Sequence, residues 1–314
     1  MQRIALIGYG EVGRILAEDL RAQGVTLSAC DLKLHGDAGD AGAPLRTHAQ
    51  QFAVTLAASH ADAVQGAELV ISAVTASQAV PVAEACVPGL AAGVFFLDLN
   101  SASPGAKIRA AGVINAAGGR YVEGAVMTSV PPYRSKVPLL LGGADAAALA
   151  PRLDALGFAP RVHDQRLGVA SATKMCRSVV IKGLEAMFIE SLTTARHYGV
   201  EDAVIASLQE TFPGLDWEHQ ASYFFQRVIE HGRRRAEEVR EVAQTVREAG
   251  LDPFSAAGTA ERQAFVADLA DAGVFGARGA ADFARSADWR VEADRILAHA
   301  GADRLPAVHP GKDT

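Results

Sequence analysis

The chain has 314 residues, of which 49% are hydrophobic and 21% are charged, and its formal net charge is −6. This composition is typical of a folded protein with two domains, and it argues against a disordered chain. The negative charge does not favour nucleic-acid binding, and no apolar stretch is long enough to span a membrane.

The N-terminus begins directly on an apolar strand, so we expect a cytoplasmic protein with no membrane partner. Its three cysteines are Cys30, Cys86 and Cys176. They are too scattered for a disulfide framework or a Cys-x-x-Cys metal site, and we expect reduced thiols and no metal ion.

The first predicted element is an apolar strand that ends in a glycine-rich turn. Gly8, Gly10 and Gly13 form the pattern Gly-x-Gly-x-x-Gly, and helical spacing follows at once. Such glycines permit the tight turn, the close approach of a pyrophosphate and the packing of helix on strand. The helix N-terminus also attracts phosphate. We therefore predict a dinucleotide site whose phosphate-binding part comprises Gly8, Gly10, Glu11, Val12 and Gly13.

A second apolar strand, residues 25–30, ends at Asp31. A carboxylate at this place can accept hydrogen bonds from an adenosine ribose, and it repels the extra phosphate of NADP. We predict NAD as the preferred cofactor. NADP stays possible because Lys33 and His35 lie close enough to offset the charge. Val74, at the end of another predicted strand (69–74), is assigned to the same cofactor site.

Further apolar runs at residues 94–99, 120–122 and 139–141 alternate with alanine-rich helical segments. This alternation predicts a doubly wound, mostly parallel α/β sheet of the Rossmann type. Residues 36–44 are expected to form a solvated loop, and His163 and Asp164 a linker turn. From residue 170 onward helical spacing dominates. We predict a dinucleotide-binding domain over residues 1–164 and an all-α substrate and dimerisation domain over residues 165–314.

Lys174 is the candidate catalytic residue, near the start of the first helix of the second domain. Its neighbours Val169, Ala172, Met175 and Val179 are apolar. Desolvation and the positive charge of an oxidised nicotinamide would favour the neutral amine, which can take a proton from a substrate alcohol. The alternative is a surface lysine whose stem lies along the helix.

The order of these motifs resembles the β-hydroxyacid dehydrogenases, the group that contains 3-hydroxyisobutyrate and 6-phosphogluconate dehydrogenases, in a divergent branch. The segment 98–104, Asp-Leu-Asn-Ser-Ala-Ser-Pro, is similar to the family's segment beside the nicotinamide. The resemblance places Asn100 at the cofactor and Ser101 at the substrate. It also identifies residues 168–174 with the segment that carries the family's catalytic lysine, here Lys174.

The substrate segment departs from the family pattern. The resemblance implies that Met127, Thr128, Ser129 and Ser178 contact the substrate, yet the family usually has serine, two glycines and asparagine there. The recognition of a substrate carboxylate is therefore altered, and no family member's substrate is transferred. The run Arg233–Arg235 is by default a solvated helix face. The functional alternative is that one arginine, Arg234 in our assignment, pairs with a substrate carboxylate.

Together these features predict an NAD(P)-dependent oxidoreductase that acts on a hydroxyl-bearing small molecule, favouring a β-hydroxy acid or its keto counterpart. Whether decarboxylation follows is left open. The alternatives are an imine reductase and a cofactor-binding regulatory module without catalysis. Large apolar groups in the second half, together with the resemblance, predict a homodimer or a tetramer built from it; they are Phe188, Phe212, Trp217, Phe224 and Phe225.

Overall fold

The computed structural model describes residues 1–34, 42–280, 283, 284, 286 and 288–301. His35 and most of the predicted loop at residues 36–44 lie outside the described residues, as does the end of the second predicted domain. The chain forms two compact units: the first comprises Met1–Arg177 and Glu241–Pro253, and the second comprises Ser178–Arg240 and Phe254–Thr314. The functional boundary expected at residue 164 stays a prediction.

The first unit contains an eight-stranded sheet of order β3-β2-β1-β4-β5-β6-β7-β8, in which only the pair β6–β7 is antiparallel. The predicted mostly parallel Rossmann sheet is therefore confirmed. The strand order reverses at β1, where α/β sheets bind ligands beyond the carboxyl ends of their strands. The strands are β1 Arg3–Ile7, β2 Thr26–Cys30, β3 Thr55–Leu56, β4 Leu69–Ser72, β5 Phe95–Asp98, β6 Arg120–Val126, β7 Pro138–Gly142 and β8 Ala159–Asp164.

Two strands were not predicted from sequence. β3 has only two residues, and β8 is an edge strand whose side chains are mostly exposed. Neither strand carries the apolar run that marks a buried strand. His163 and Asp164 belong to β8, so their interpretation as a linker turn was wrong.

Helices cover both faces of the sheet and bury two separate apolar clusters. The first helix, α1, packs through Gly13, Leu16, Ala17 and Leu20. Residues 43 and 44 begin the second helix and not a loop. The helices are α1 Glu11–Ala22, α2 Ala43–Gln51, α3 His60–Val64, α4 Ala79–Cys86, α5 Pro104–Ala116 and α6 Ala146–Asp154.

From residue 169 onward the described residues form helices and their connections, as predicted. An aromatic cluster builds the core of the second unit, with the rings of Phe188 and Trp217 stacked at 5.1 Å. Among the described residues no helix has the length and apolar character needed to cross a membrane. The helices are α7 Val169–Tyr198, α8 Glu201–Thr211, α9 Trp217–Glu248, α10 Phe254–Asp271 and α11 Trp289–Gly301.

Candidate functional site

The turn between β1 and α1 has the geometry of a phosphate-binding loop. Gly8 has φ of +94°, and a Cβ there would lie 2.3 Å from the carbonyl oxygen of Ala73. A Cβ on Gly13 would lie 2.2 Å from the carbonyl oxygen of Gly8. Around Gly10, in contrast, a Cβ would meet no atom within 4 Å, and this residue begins α1 without a side-chain cap. The open helix N-terminus fits the pyrophosphate of a dinucleotide.

Asp31 follows β2 and holds the same turn in place. One carboxylate oxygen accepts the backbone N–H of Tyr9 at 2.8 Å, and the other accepts the N–H of Lys33 at 2.9 Å. The side chain is half-buried. These two bonds fix the carboxylate at the end of β2, which is where an adenosine ribose is bound in Rossmann folds.

Val74 and Asn100 are brought together beyond the ends of β4 and β5. The Oδ1 atom of Asn100 accepts the backbone N–H of Val74 at 2.7 Å, and its Nδ2 donates to Ser72 Oγ at 3.0 Å. Asn100 is buried. Its side chain therefore joins the two strand ends, and Val74 takes part through its backbone.

A buried ion pair supports this segment and was missed from sequence. Lys107 donates to the Asp98 side chain and carbonyl oxygen, both at 2.8 Å, and the Tyr121 hydroxyl donates to Asp98 at 2.6 Å. Burial, together with the charge of Asp98, raises the pKa of Tyr121 well above its usual value, so the phenol stays protonated. The backbone N–H of Asn100 donates to Asp98 at 2.8 Å, which ties the pair to the candidate site. The one hint in the sequence was a lysine in an otherwise alanine-rich helix.

Lys174 lies within hydrogen-bonding distance of Ser101. The amine Nζ donates to Ser101 Oγ at 2.7 Å, and both residues are half-buried. Lys174 lies on α7, and Ser101 lies just beyond β5. The two residues that we assigned to proton transfer and to substrate from separate motifs are therefore in contact.

Glu123 fixes the start of the helix that carries Lys174. Its buried carboxylate accepts the N–H of Ala170 at 3.0 Å and the hydroxyl of Ser171 at 2.9 Å. A Cβ on Gly142 of β7 would lie 2.3 Å from this carboxylate, so a larger residue there would displace it. Glu123 caps α7, a role that sequence reasoning did not assign to it.

The N-terminus of α5 is anchored by the C-terminal part of α9, which belongs to the first unit. Glu241 accepts the N–H of Ser103 at 2.7 Å, and Glu248 accepts the N–H of Gly105 at 2.9 Å. Two carboxylates at a helix N-terminus are favourable for the helix dipole. These contacts, also missed from sequence, hold the segment that contains Ser101.

Met127, Thr128 and Ser129 begin the loop between β6 and β7. Met127 donates its N–H to Pro138 at 3.0 Å, which closes the base of the loop. Thr128 is exposed, whereas Met127 and Ser129 are half-buried. Their approach to the substrate stays a prediction.

The arginine run in the second unit has three different environments. Arg233 binds Asp268 and Asp271 at 2.6 and 2.7 Å, and Arg234 binds Glu238 at 2.8 Å. Arg235 is buried and paired with Glu185. The interpretation of this run as a solvated helix face was therefore wrong for Arg235, because consecutive helical residues point in different directions.

Glu238 also binds the amine of Lys182 at 2.5 Å. Burial lowers the pKa of Lys182, while the charge of Glu238 opposes this change. Ser178, the predicted substrate ligand, lies on α7 with Lys182 and is buried.

Among the described residues no cluster of His, Cys, Asp and Glu could hold a metal ion.

Comparisons with known proteins agree with this architecture. Residues 3–157 match the model of the NAD binding domain of 6-phosphogluconate dehydrogenase, and residues 195–266 match a domain of unknown function. The chain is 38% identical to a conserved hypothetical protein from Sinorhizobium meliloti, with a TM-score of 0.71; the match covers 94% of this chain and 97% of that one.

Two more distant structures share the fold alone. A Mycobacterium tuberculosis 3-hydroxyisobutyrate dehydrogenase with L-serine is 16% identical with a TM-score of 0.64, over 94% of this chain and 99% of that chain. An imine reductase from Myxococcus stipitatus in complex with NADP+ is 17% identical with a TM-score of 0.51, over 86% and 95% of the two chains. The chain belongs to the same family as the conserved hypothetical protein of S. meliloti, and its residues 3–157 form an NAD binding domain of the 6-phosphogluconate dehydrogenase type.

Proposed function

We propose that the protein is an NAD(P)-dependent oxidoreductase that transfers hydride between nicotinamide and a hydroxyl-bearing small molecule. A β-hydroxy acid, or its keto or semialdehyde counterpart, is the proposed substrate. The observation that carries this proposal is the contact of 2.7 Å between the Lys174 amine and Ser101. It joins a candidate base to the strand ends beside a dinucleotide-binding turn.

The nucleotide turn fits its cofactor through backbone groups. Gly8, Gly10, Glu11, Val12 and Gly13 would hold the pyrophosphate at the uncapped N-terminus of α1. Asp31 would bind the adenosine ribose, for which reason we propose NAD as the preferred cofactor and NADP as the poorer one. When bound, the nicotinamide supplies the hydride acceptor in oxidation and the hydride donor in reduction.

Lys174 supplies the proton transfer in this proposal. In the oxidation, the neutral amine takes the hydroxyl proton of the substrate as the hydride leaves the carbinol carbon, which becomes a carbonyl. The Ser101 hydroxyl accepts one N–H of the amine, so it limits the directions in which the amine can point. The Glu123 cap fixes the helix turn before Lys174 and thereby its Cα position.

The remaining substrate contacts are proposed from the family positions. Met127, Thr128, Ser129 and Ser178 would contact the substrate, with the hydroxyls as hydrogen-bonding groups. Arg234 is proposed as the cation for the substrate carboxylate, since guanidinium binds a carboxylate bidentately. In the second unit it is paired with Glu238, so binding would require an exchange of carboxylate partners.

We also propose that the protein is a homodimer, or a tetramer built from dimers. Helix α7 leaves an apolar stripe exposed along the second unit: Val180 is 60% exposed, Met187 59% and Tyr198 71%. Apolar groups repeated along one side of a long helix are typical of an interface with another helix surface. A second copy of the chain is the proposed partner.

The experiment is a turnover assay that follows nicotinamide absorbance with NAD and with NADP. The panel contains 3-hydroxyisobutyrate, 3-hydroxybutyrate, L-serine, 6-phosphogluconate and branched or aromatic alcohols. Lys174→Ala should lower kcat about a hundredfold or more and leave dinucleotide affinity nearly unchanged. Cys176→Ser, an exposed position on the same helix, is the control and should keep wild-type kcat. Normal turnover by Lys174→Ala would refute the assignment.

Two other outcomes would point to the alternatives. Reduction of a cyclic imine with no turnover of any hydroxyl compound would favour an imine reductase, whose fold this chain shares. Dinucleotide binding without turnover of hydroxyl compounds or imines would favour a regulatory module. The altered residues Met127 and Ser178 are the features that favour this last alternative.

A further inference from the structure

The loop between β6 and β7, residues 127–137, is fixed at one point by an arginine in an unusual backbone conformation. Arg134 has φ of +53°, in the left-handed region that residues other than glycine rarely adopt. Such a conformation persists only where the surrounding contacts enforce it. Arg134 follows Ser129 by five positions, so it lies on the same loop as the proposed substrate segment Met127, Thr128 and Ser129.

The contacts that enforce it lie on α1. Arg134 Nε donates to Asp19 at 2.7 Å, and its Nη2 donates to Glu18 at 2.7 Å and to the carbonyl oxygen of Ile15 at 3.4 Å. The adjacent N–H of Ser135 donates to the second carboxylate oxygen of Asp19 at 3.0 Å. On α1, two carboxylates and one backbone carbonyl oxygen therefore accept hydrogen bonds from the loop.

One of these carboxylates, that of Glu18, is also connected to the nucleotide turn. The second oxygen of Glu18 bonds to His48 Nε2 at 3.1 Å, and His48 Nδ1 bonds to the hydroxyl of Tyr9 at 2.8 Å. Tyr9 lies between Gly8 and Gly10 and is fully buried. Helix α1 thus begins at the predicted pyrophosphate site and carries, further along, the anchor of the substrate loop.

A role in stability alone explains this arrangement poorly. Arg134 is 42% exposed, and its partners Glu18 and Asp19 are 31% and 19% exposed, so solvent screens much of the attraction in this small network. The left-handed backbone at Arg134 costs free energy, which glycine would avoid. Glycine would relieve the backbone, but it has no side chain to bond to α1. The arginine side chain does bond to α1 and therefore fixes the distance between the loop and this helix.

We propose that Arg134 is a positioning residue that fixes the substrate loop relative to the nucleotide turn through Glu18 and Asp19. The identity of the loop as a substrate-binding segment rests on the proposed function. Without the guanidinium the loop keeps its base, where Met127 bonds to Pro138, but it loses its attachment to α1. The hydroxyls of Thr128 and Ser129 would then be less well placed for a bound substrate.

The test uses Arg134→Ala, with Arg120→Ala as the matched control. Arg120 forms an ion pair of similar exposure with Asp145, at 35% and 30%, and is not on the loop. In Arg134→Ala we expect the KM of the substrate found in the assay panel to rise about tenfold, with the KM of the dinucleotide changed less than about twofold. Millimolar guanidinium should partly restore the substrate KM of Arg134→Ala, whereas it should leave Arg120→Ala unchanged.

Hydrogen exchange of the full-length protein provides a readout that does not depend on activity. The amides of Tyr133, Lys136 and Val137 are bonded within the loop, and they should exchange about tenfold faster in Arg134→Ala than in the wild type and in Arg120→Ala. Unchanged exchange would refute the anchor. Faster exchange with an unchanged substrate KM would refute positioning. If the wild type turns over none of the panel, the proposed function fails, and the exchange measurement still decides the anchor.

Discussion

Glu123 and Ala170 are joined by a hydrogen bond of 3.0 Å that places a fully buried carboxylate of β6 at the first turn of α7. The second carboxylate oxygen accepts the hydroxyl of Ser171 at 2.9 Å. Lys174 follows one helical turn later on the same helix. The position of the proposed base therefore depends on a buried side chain from the sheet.

Glu123→Ala should reduce both stability and turnover. It leaves the Ala170 N–H without its buried acceptor, at a cost of about 1–3 kcal/mol in the free energy of unfolding, while the Ser171 hydroxyl keeps the Gly168 carbonyl oxygen at 3.1 Å as an acceptor. It also frees the helix start, so kcat should fall about tenfold or more. Ser59→Ala removes the cap of α3, which bonds to Asp62 at 3.0 Å, and provides a control for cap loss alone. Stability is measured by chemical denaturation and kcat by the turnover assay, on both variants side by side. Equal kcat values in Glu123→Ala and Ser59→Ala would contradict the positioning role.

Replacement of Asp31 should narrow the preference for NAD over NADP. Asp31→Ser removes the charge that repels the extra phosphate, and it also removes an acceptor for the Tyr9 N–H. Asp31→Asn removes the charge but keeps an oxygen for that bond, so it separates charge from loop geometry. The ratio of kcat/KM for the two cofactors should fall toward unity in both variants. An NADP preference in the wild-type protein would show that the charge of Asp31 does not decide cofactor choice.

The nucleotide site could be predicted from sequence because its signals are local. Gly8, Gly10 and Gly13 lie within one turn, and Asp31 follows the next strand directly. The contact between Lys174 and Ser101 was not predictable from spacing, because it joins residues separated by 73 positions. Only the family resemblance placed both residues at one site.

Other features depend on which elements become neighbours. The Asp98–Lys107–Tyr121 cluster requires β5 beside β6, and a linear pattern does not contain that adjacency. The burial of Arg235 had a readable signal, since it lies one helical turn before Val239 and two before Val242 on one face of α9. Strand β8 had none, because an exposed edge strand has no apolar run.

Charged substitutions in the α7 stripe should dissociate the proposed dimer. Val180→Glu combined with Met187→Glu places two carboxylates on a surface that is now apolar, and they would be buried without partners in an interface. Sedimentation or light scattering should show a dimer or tetramer for the wild type and a monomer for the double variant. Leu251→Glu, at an exposed apolar position on the first unit, should leave assembly unchanged. A wild-type monomer at all concentrations would refute the assembly.

Thiol modification should distinguish one cysteine from the other two. Burial raises the pKa of Cys30 to about 11 and that of Cys86 to about 12, so both remain protonated and inaccessible near neutral pH. Cys176 is exposed. A disulfide reagent should therefore modify one thiol quickly and the others only after unfolding. Cys176→Ser should abolish the fast phase, and a fast phase that survives this change would show that the buried thiols are accessible.

In Glu18→Gln the free energy of unfolding should fall less steeply with decreasing pH than in the wild type. Hydrogen bonds from His48 and Arg134 lower the pKa of Glu18 in the folded protein below its ordinary value of 4.5. A carboxyl group with a depressed folded pKa adds stability that is complete above the unfolded value and is lost as pH falls toward the folded value, because the unfolded chain then binds more protons. In Glu18→Gln this contribution is absent at every pH.

The measurement is the free energy of unfolding by denaturant between pH 7 and pH 3. Glu18→Gln should be less stable than the wild type at pH 7, and the difference should shrink below pH of about 4.5 as the wild-type carboxylate is protonated. Glu84→Gln, at an exposed position on α4, provides the control and should follow the wild-type curve. Parallel curves for the wild type and Glu18→Gln would mean that Glu18 titrates alike in the folded and unfolded chains. The bonds to His48 and Arg134 would then not favour the ionised carboxylate, and the proposed anchor of the substrate loop would lose its electrostatic basis.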